Sequence, residues 1–320
     1  CGSKPLRHAT ADRIPLPSSG CVINTMGFDA RLGQAVLLKK IVDSMKELCK
    51  DVNFDCNESG LQVQSMDTSH VALVSMMLRK AAFTEFRCDR PMSLGMNMDA
   101  LSRILKMCSA SDSLKVRFRE GKDTLNFQFE SGQDDRLAEF DLKLMQLETE
   151  HLDIPEQHFK VVVKMPSAEF QKISRDLKEF GDTMEVKASK NGITFTVHSD
   201  ISMGSVLLKP RQAEKPEDRV TLRVEEPVTL TFALRYIVIF TRAAPLSSMV
   251  EVSLGPDSPM LVKYELERGR CIRDCDCKWF RPVLLGAQAR CVNLAVSGQS
   301  VGRPLMRTMP TTAIAHDIVA

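Results

Sequence analysis

The chain is 320 residues long, 43% hydrophobic and 26% charged, with 43 Lys and Arg against 41 Asp and Glu for a formal net charge of +2. That length suits two ordinary domains with their own cores, no apolar run approaches the length of a membrane span, and Pro5, Arg7, His8, Asp12 and Arg13 interrupt any targeting core. Of the ten cysteines only Cys49, Cys56, Cys88 and Cys108 lie in the patterned region, without regular spacing, which points to a reducing compartment.

Residues 1–25 are rich in Pro and Ser and have no counterpart elsewhere, so they are expected to be a disordered extension. From there the chain repeats itself. Residues 35–66 predict a helix, a turn, a strand, a tight turn and a strand, and residues 167–198 repeat that order at a constant offset of 132. Ala35–Ile41 aligns with Ser167–Ile173, and Asn57-Glu58-Ser59-Gly60-Leu61 with Ser189-Lys190-Asn191-Gly192-Ile193, where the Asn-Gly pair suits a tight turn with positive φ. A second helix follows in each half, within Asp99–Lys106 and Phe232–Arg242, and after it an alternating strand, Ser113–Phe118 and Met249–Leu254. A duplicated unit of this length means two similar domains in tandem, not a solenoid. The boundaries fall at 26–144 for the first domain, 145–159 for an acidic connector in which Pro155 argues against helix, 160–267 for the second domain and 268–320 for a basic tail.

The balanced net charge hides an asymmetry. Residues 1–25 hold three basic and one acidic side chain and residues 268–320 hold eight and three, so positions 26–267 keep 32 basic against 37 acidic, a net of −5. Within that acidic core, Lys39 and Lys46 stand seven apart with Lys40 beside them, Arg103 and Lys106 three apart, Lys172 and Arg175 three apart, and Arg235 and Arg242 seven apart. Such spacings align charges along one helical face. On any single helix they read as an ordinary solvated surface, but on four equivalent helices they form the footprint of a phosphate polyanion. The core has no tryptophan and only two tyrosines, Tyr236 and Tyr264, which argues against base stacking and for backbone-only contact with duplex.

The runs Leu61–Val71, Phe86–Arg90, Leu152–Gln157, Val163–Ser167, Leu230–Tyr236 and Pro245–Ser248 closely resemble the eukaryotic DNA sliding clamps, the proliferating cell nuclear antigen family, and the resemblance runs from about Phe28 to Leu266 with one short length difference near residue 212. It implies an α+β fold of two tandem duplicated clamp domains, helices on the inner face and antiparallel sheets outside, closing as a homotrimeric ring. The basic positions Lys39, Lys40, Lys46, Arg103, Lys106, Lys172, Arg175, Arg235 and Arg242 would then face duplex DNA. The resemblance also implies a partner-peptide pocket beneath the connector, formed by Met66, His70, Val71, Leu73, Leu152, Ile154 and Pro259, and places Lys190 at the family's ubiquitin-accepting lysine. Without it, Met66 and Leu152 read as core packing and Lys190 as a solvated charge. The trimer seam would pair about 136–144 with about 203–209 of a neighbour, Arg136, Leu137, Phe140, Leu142 and Leu144 meeting Val206 and Leu208.

The chain departs from the family after Leu266, where a final strand is expected and Glu267–Cys277 stands instead. Lys278–Val283 is similar to that strand but displaced and broken by Pro282. The expectation is therefore that the strand is missing, that Val71–Leu78 keeps an unpaired apolar edge, and that a translated intron or frameshift produced the tail. The alternative to a working clamp is a diverged or misencoded paralogue impaired in ring assembly. Zinc on Cys271, Cys275, Cys277 and the distant Cys291 is disfavoured by spacing and the lack of a nearby histidine, and catalysis by Asp67-Thr68-Ser69-His70 by their adjacency. Neither cofactor nor enzymatic activity is expected. The partners implied are duplex DNA, further copies of the chain, a clamp loader, and polymerase, flap nuclease and ligase peptides in the nucleus, with no membrane.

Overall fold

The computed structural model describes residues 27–132, 136–148, 158–256, 258–266 and 278–284. The extension at 1–25, connector residues 149–157 and the tail outside Lys278–Leu284, with its four cysteines, lie outside the described residues. In the first half the order is β1 (Gly27–Leu32), α1 (Ala35–Met45), β2 (Asp51–Asn57), β3 (Gly60–Met66), β4 (Ala72–Arg79), β5 (Glu85–Cys88), β6 (Met92–Asn97), α2 (Met98–Leu105), β7 (Ser113–Arg119), β8 (Thr124–Glu130) and β9 (Leu137–Lys143). The second half runs β10 (Val161–Pro166), α3 (Ser167–Lys178), β11 (Thr183–Ser189), β12 (Gly192–His198), β13 (Met203–Leu208), β14 (Thr221–Val224), β15 (Val228–Ala233), α4 (Leu234–Phe240), β16 (Met249–Gly255), β17 (Ser258–Glu265) and β18 (Lys278–Leu284).

The duplication is exact at the elements that define it. β2 and β11, and β3 and β12, start and stop 132 residues apart. Helix starts are capped by equivalent carbonyls: Ala35 N–H donates to Asp112 O and Ser167 N–H to Ser248 O, both at 2.8 Å, while Met98 N–H donates to Lys50 O and Leu234 N–H to Asp182 O at 2.7 and 2.8 Å. Each satisfies a donor the helix itself leaves unpaired. Gly60 and Gly192, at φ 145° and 153°, open β3 and β12 where a Cβ would overlap the carbonyl oxygens of Leu78 and Leu208. The positive φ sits on the glycine alone, since His70 is the only described non-glycine residue with positive φ, so Asn191 does not share it. Gly60→Ala is expected to destabilise the first half by about 2 kcal/mol or more, seen as a lowered thermal midpoint.

Three antiparallel sheets carry the helices. One runs β5-β1-β7-β8-β9, one β13-β12-β11-β15, and a nine-stranded sheet, β14-β10-β16-β17-β18-β4-β3-β2-β6, joins the two halves. Alternating residues of these strands and one stripe of each helix fill the core, with Phe54, Phe127, Phe170, Phe195 and Phe232 fully buried.

The expectation of a missing final strand is corrected here. β18 lies between β17 and β4, and every residue from Lys278 to Leu284 pairs with β4, from Leu78 to Ala72. Its ladder to β17 pairs Trp279 and Phe280 with Glu265 and Tyr264, and Val283 and Leu284 with Leu261 and Met260, but omits Arg281 and Pro282. A proline has no N–H to donate, and the structure places that gap on one flank only. The apolar β4 edge is closed, and Leu284 is buried.

The second helix of the second half is also shorter than its sequence pattern. Phe232 and Ala233 belong to β15, α4 ends at Phe240, and Thr241–Leu246 is a 3-10 segment containing Pro245. Arg242 therefore sits on that segment and not on the α-helix.

Candidate nucleic-acid and partner interfaces

The helices form a connected layer. α1 packs against α2 on one side and the 3-10 segment on the other, and α3 packs against that segment and α4. Across this layer Lys40 Nζ donates to Pro245 O at 3.1 Å and Gln171 Nε2 to Thr241 O at 2.6 Å. α1 buries Leu38, Ile41, Val42 and Met45, and α3 buries Phe170, Ile173 and Leu177, so the opposite faces carry the basic residues away from the sheets.

Seven of the nine sequence-derived cations fall into two groups, while Lys40 donates to Pro245 O and Arg235 to the Tyr236 hydroxyl. Lys46 pairs with Asp43 at 2.6 Å and Arg242 with Glu47, so each is partly neutralised. Lys39, Arg103, Lys106, Lys172 and Arg175 form no ion pair with a described residue, and all but the half-buried Lys39 are exposed. An exposed cation without a carboxylate partner is available to a phosphate at little desolvation cost.

On the other side of the first half, a cleft of about 300 Å³ is lined by Val52, Asn53, Gln64, Met66, His70, Leu73, Leu147 and Glu148, among others. It unites three of the sequence-derived pocket residues, Met66, His70 and Leu73. Val71 adjoins it, and Pro259 lies at the same end of the nine-stranded sheet, two strands away across β18, by the register Met260–Leu284–Ala72. Leu152 and Ile154 lie outside the described residues. Asn53, Gln64 and Leu147 were not foreseen, because the signal is geometric: the connector starts as an addition to the sheet edge. Met145 bridges Gly95 of β6, where a Cβ would overlap the Met145 carbonyl, and Asn53 Nδ2 donates to Leu147 O at 3.2 Å.

The loop between β3 and β4 forms one wall. Its organiser is Asp67, buried, whose Oδ1 accepts from the N–H groups of Val71 and Ala72, both at 2.7 Å, and whose Oδ2 accepts from Ser69 N–H at 3.1 Å. Burial alone would raise the Asp67 carboxyl, but the hydrogen bonds from Ala72, Ser69 and Val71 outweigh it and hold the group below the ordinary carboxylate range. The same turn forces His70 to φ 56°.

At the expected seam the structure sorts the residues by strand parity. Phe140, Leu142, Val206 and Leu208 turn inward onto their own core. Leu137 on β9 and Met203 and Leu207 on β13 are the exposed apolar residues, at 61%, 64% and 51%. Among the described residues β9 and β13 are each one edge strand of their sheet, with β5 and β15 at the opposite edges. Arg136 is engaged within the chain by the buried carboxylate of Asp112, at 2.9 Å. Lys190 stands exposed on the β11–β12 turn. Among the described residues no three His, Cys, Asp or Glu side chains cluster as a metal site, and no helix is long and apolar enough to cross a membrane.

Residues 27–152 match the family model for the proliferating cell nuclear antigen N-terminal domain, and residues 153–275 the model for its C-terminal domain. A proliferating cell nuclear antigen from Chaetomium thermophilum is 44% identical over 239 residues, spanning 74% of this chain and 92% of that protein.

Proposed function

Because this chain belongs to the proliferating cell nuclear antigen family, we propose that its helical layer is the surface that meets DNA and its sheet surface the one that meets partners. The protein is a DNA sliding clamp and processivity factor, of a non-catalytic family that encircles DNA as a homotrimer and binds replication proteins. The observation that carries our reading is that Lys39, Arg103, Lys106, Lys172 and Arg175 stand on the outer faces of core-packed helices without ion-pair partners among the described residues, in a stretch whose net charge is negative. Closure of the ring supplies lasting association, so each phosphate contact stays weak and exchangeable, and the absence of base readout is what sliding needs.

The ring is assembled, in this reading, by pairing β9 of one copy with β13 of the next. The five-stranded and four-stranded sheets would then continue as one nine-stranded sheet, the same size as the sheet that joins the halves within a chain. The cleft beside His70 would accept the apolar and aromatic anchors of polymerase, flap nuclease and ligase peptides, an exchangeable mode of small contact area. A separate loader would open the ring, Lys190 would be the exposed acceptor of ubiquitin, and the protein would work in the nucleus.

Replacing Lys39, Lys172 and Arg175 by Ala is the direct test. The solution mass should be unchanged, while affinity for short linear duplex falls and the slope of log K against log salt becomes shallower by about 0.9 for each phosphate contact removed. Retention on closed circles should survive, because topology provides it. An unchanged salt slope would place the DNA elsewhere.

A further inference from the structure

One hydrogen-bonded chain connects the two surfaces just described and crosses between the halves. Arg235, exposed on α4, lays its guanidinium over the Tyr236 ring, 4.7 Å from the centroid, and its Nη2 donates to the Tyr236 hydroxyl at 3.0 Å. That hydroxyl donates onward to Asp67 Oδ2 at 3.2 Å and lies 3.2 Å from Ser69 Oγ. Asp67 in turn holds the backbone N–H groups of Ser69, Val71 and Ala72, the turn that carries His70. Tyr236 and Asp67 are both buried, so water does not compete freely for these bonds, and a buried carboxylate that loses a donor bears the cost directly.

We propose that Tyr236 is a positioning residue for the partner cleft: reaching from the second half, its hydroxyl fixes the loop Asp67–Ala72 of the first half and ties that loop to the DNA-side guanidinium of Arg235. The inference rests on the reading of the cleft as a partner-peptide site. The three groups are ordered donor to acceptor from a cation, through a hydroxyl, to an anion, so each bond polarises the next. The last acceptor sits where a turn with one residue at positive φ has to be over-determined by its surroundings. A loop set in this way presents His70 and Met66 to the cleft in one arrangement, and loosening it taxes every peptide that needs that arrangement.

The experiment uses the full chain as a trimer and a synthetic peptide with two aromatic anchors and one aliphatic anchor. Tyr236→Phe keeps the ring and its packing and removes only the hydroxyl. Peptide affinity should fall about five- to tenfold, amide exchange of residues 69–72 should accelerate, and solution mass should stay that of a trimer. Asp67→Asn should weaken binding similarly, and the double variant should be no worse than the poorer single one, since both break one network. Peptide affinity in Tyr236→Phe within twofold of the unmodified chain, or strict additivity in the double variant, overturns the inference. No binding of peptide to the unmodified chain would instead overturn the cleft reading on which it rests.

Discussion

A chain ending at Leu266, or lacking Lys278–Leu284, is expected to lose its cooperative fold outright. β18 is an interior strand, hydrogen-bonded to β4 on one flank and β17 on the other. Its removal strands the ladder groups of both neighbours and opens a path to Tyr264, Met76 and Met260, all fully buried. Each buried backbone group left without a partner costs roughly 1–3 kcal/mol, and a few of them already equal the ~5–15 kcal/mol that holds a whole domain folded. The strand also joins the halves, so each would expose a long apolar edge, the usual start of edge-to-edge aggregation. Light scattering coupled to size exclusion, with a thermal scan, should report aggregate or a mass without a sharp transition. A trimer with an unaltered melt would put this strand outside the folded body.

The second large effect is expected at the seam. Leu137→Glu together with Leu207→Glu places carboxylates on the two open edges without touching either core, because both side chains are exposed. In the free chain such changes cost little. In the ring they bury unpaired like charge, a penalty of several kcal/mol at each of three seams. The mass should drop from three times 35.8 kDa to 35.8 kDa with the melt nearly unchanged, and stimulation of a polymerase should vanish. By contrast, Phe140→Glu or Val206→Glu would damage the fold itself, since those residues pack inward. A trimer surviving the double substitution would move the seam to other edges.

Much of this was legible in the residues. The offset of 132 located both hairpins, because Gly60 and Gly192 answer to local backbone sterics that a sequence carries openly. The cations of α1, α2 and α3 were legible because spacing on a helix fixes its face, whereas Arg242 falls past the end of α4, where the same spacing no longer applies. What the sequence hid was long-range. β18 escaped because a proline and an eleven-residue displacement weaken the pattern of a strand, while the pairing that accepts them lies with β4, two hundred positions earlier. At the seam, alternation correctly announced strands, but the strongly apolar parity of Phe140, Leu142, Val206 and Leu208 belongs to the core. The exposed edge falls to the sparser parity of Leu137 and Leu207. The contact of Tyr236 with Asp67 spans 169 positions and leaves no local trace.

The place of β18 has a consequence in time. β4 is complete at Arg79, yet the strand that covers its edge ends at Leu284, and at roughly 5–20 residues per second a ribosome needs on the order of 10–40 s to cover the interval. During that interval the first half waits with an apolar edge exposed, unable to join its twin. Every nascent chain thus carries an open strand edge until Leu284 has been made, and only then can the two halves commit to one folded body.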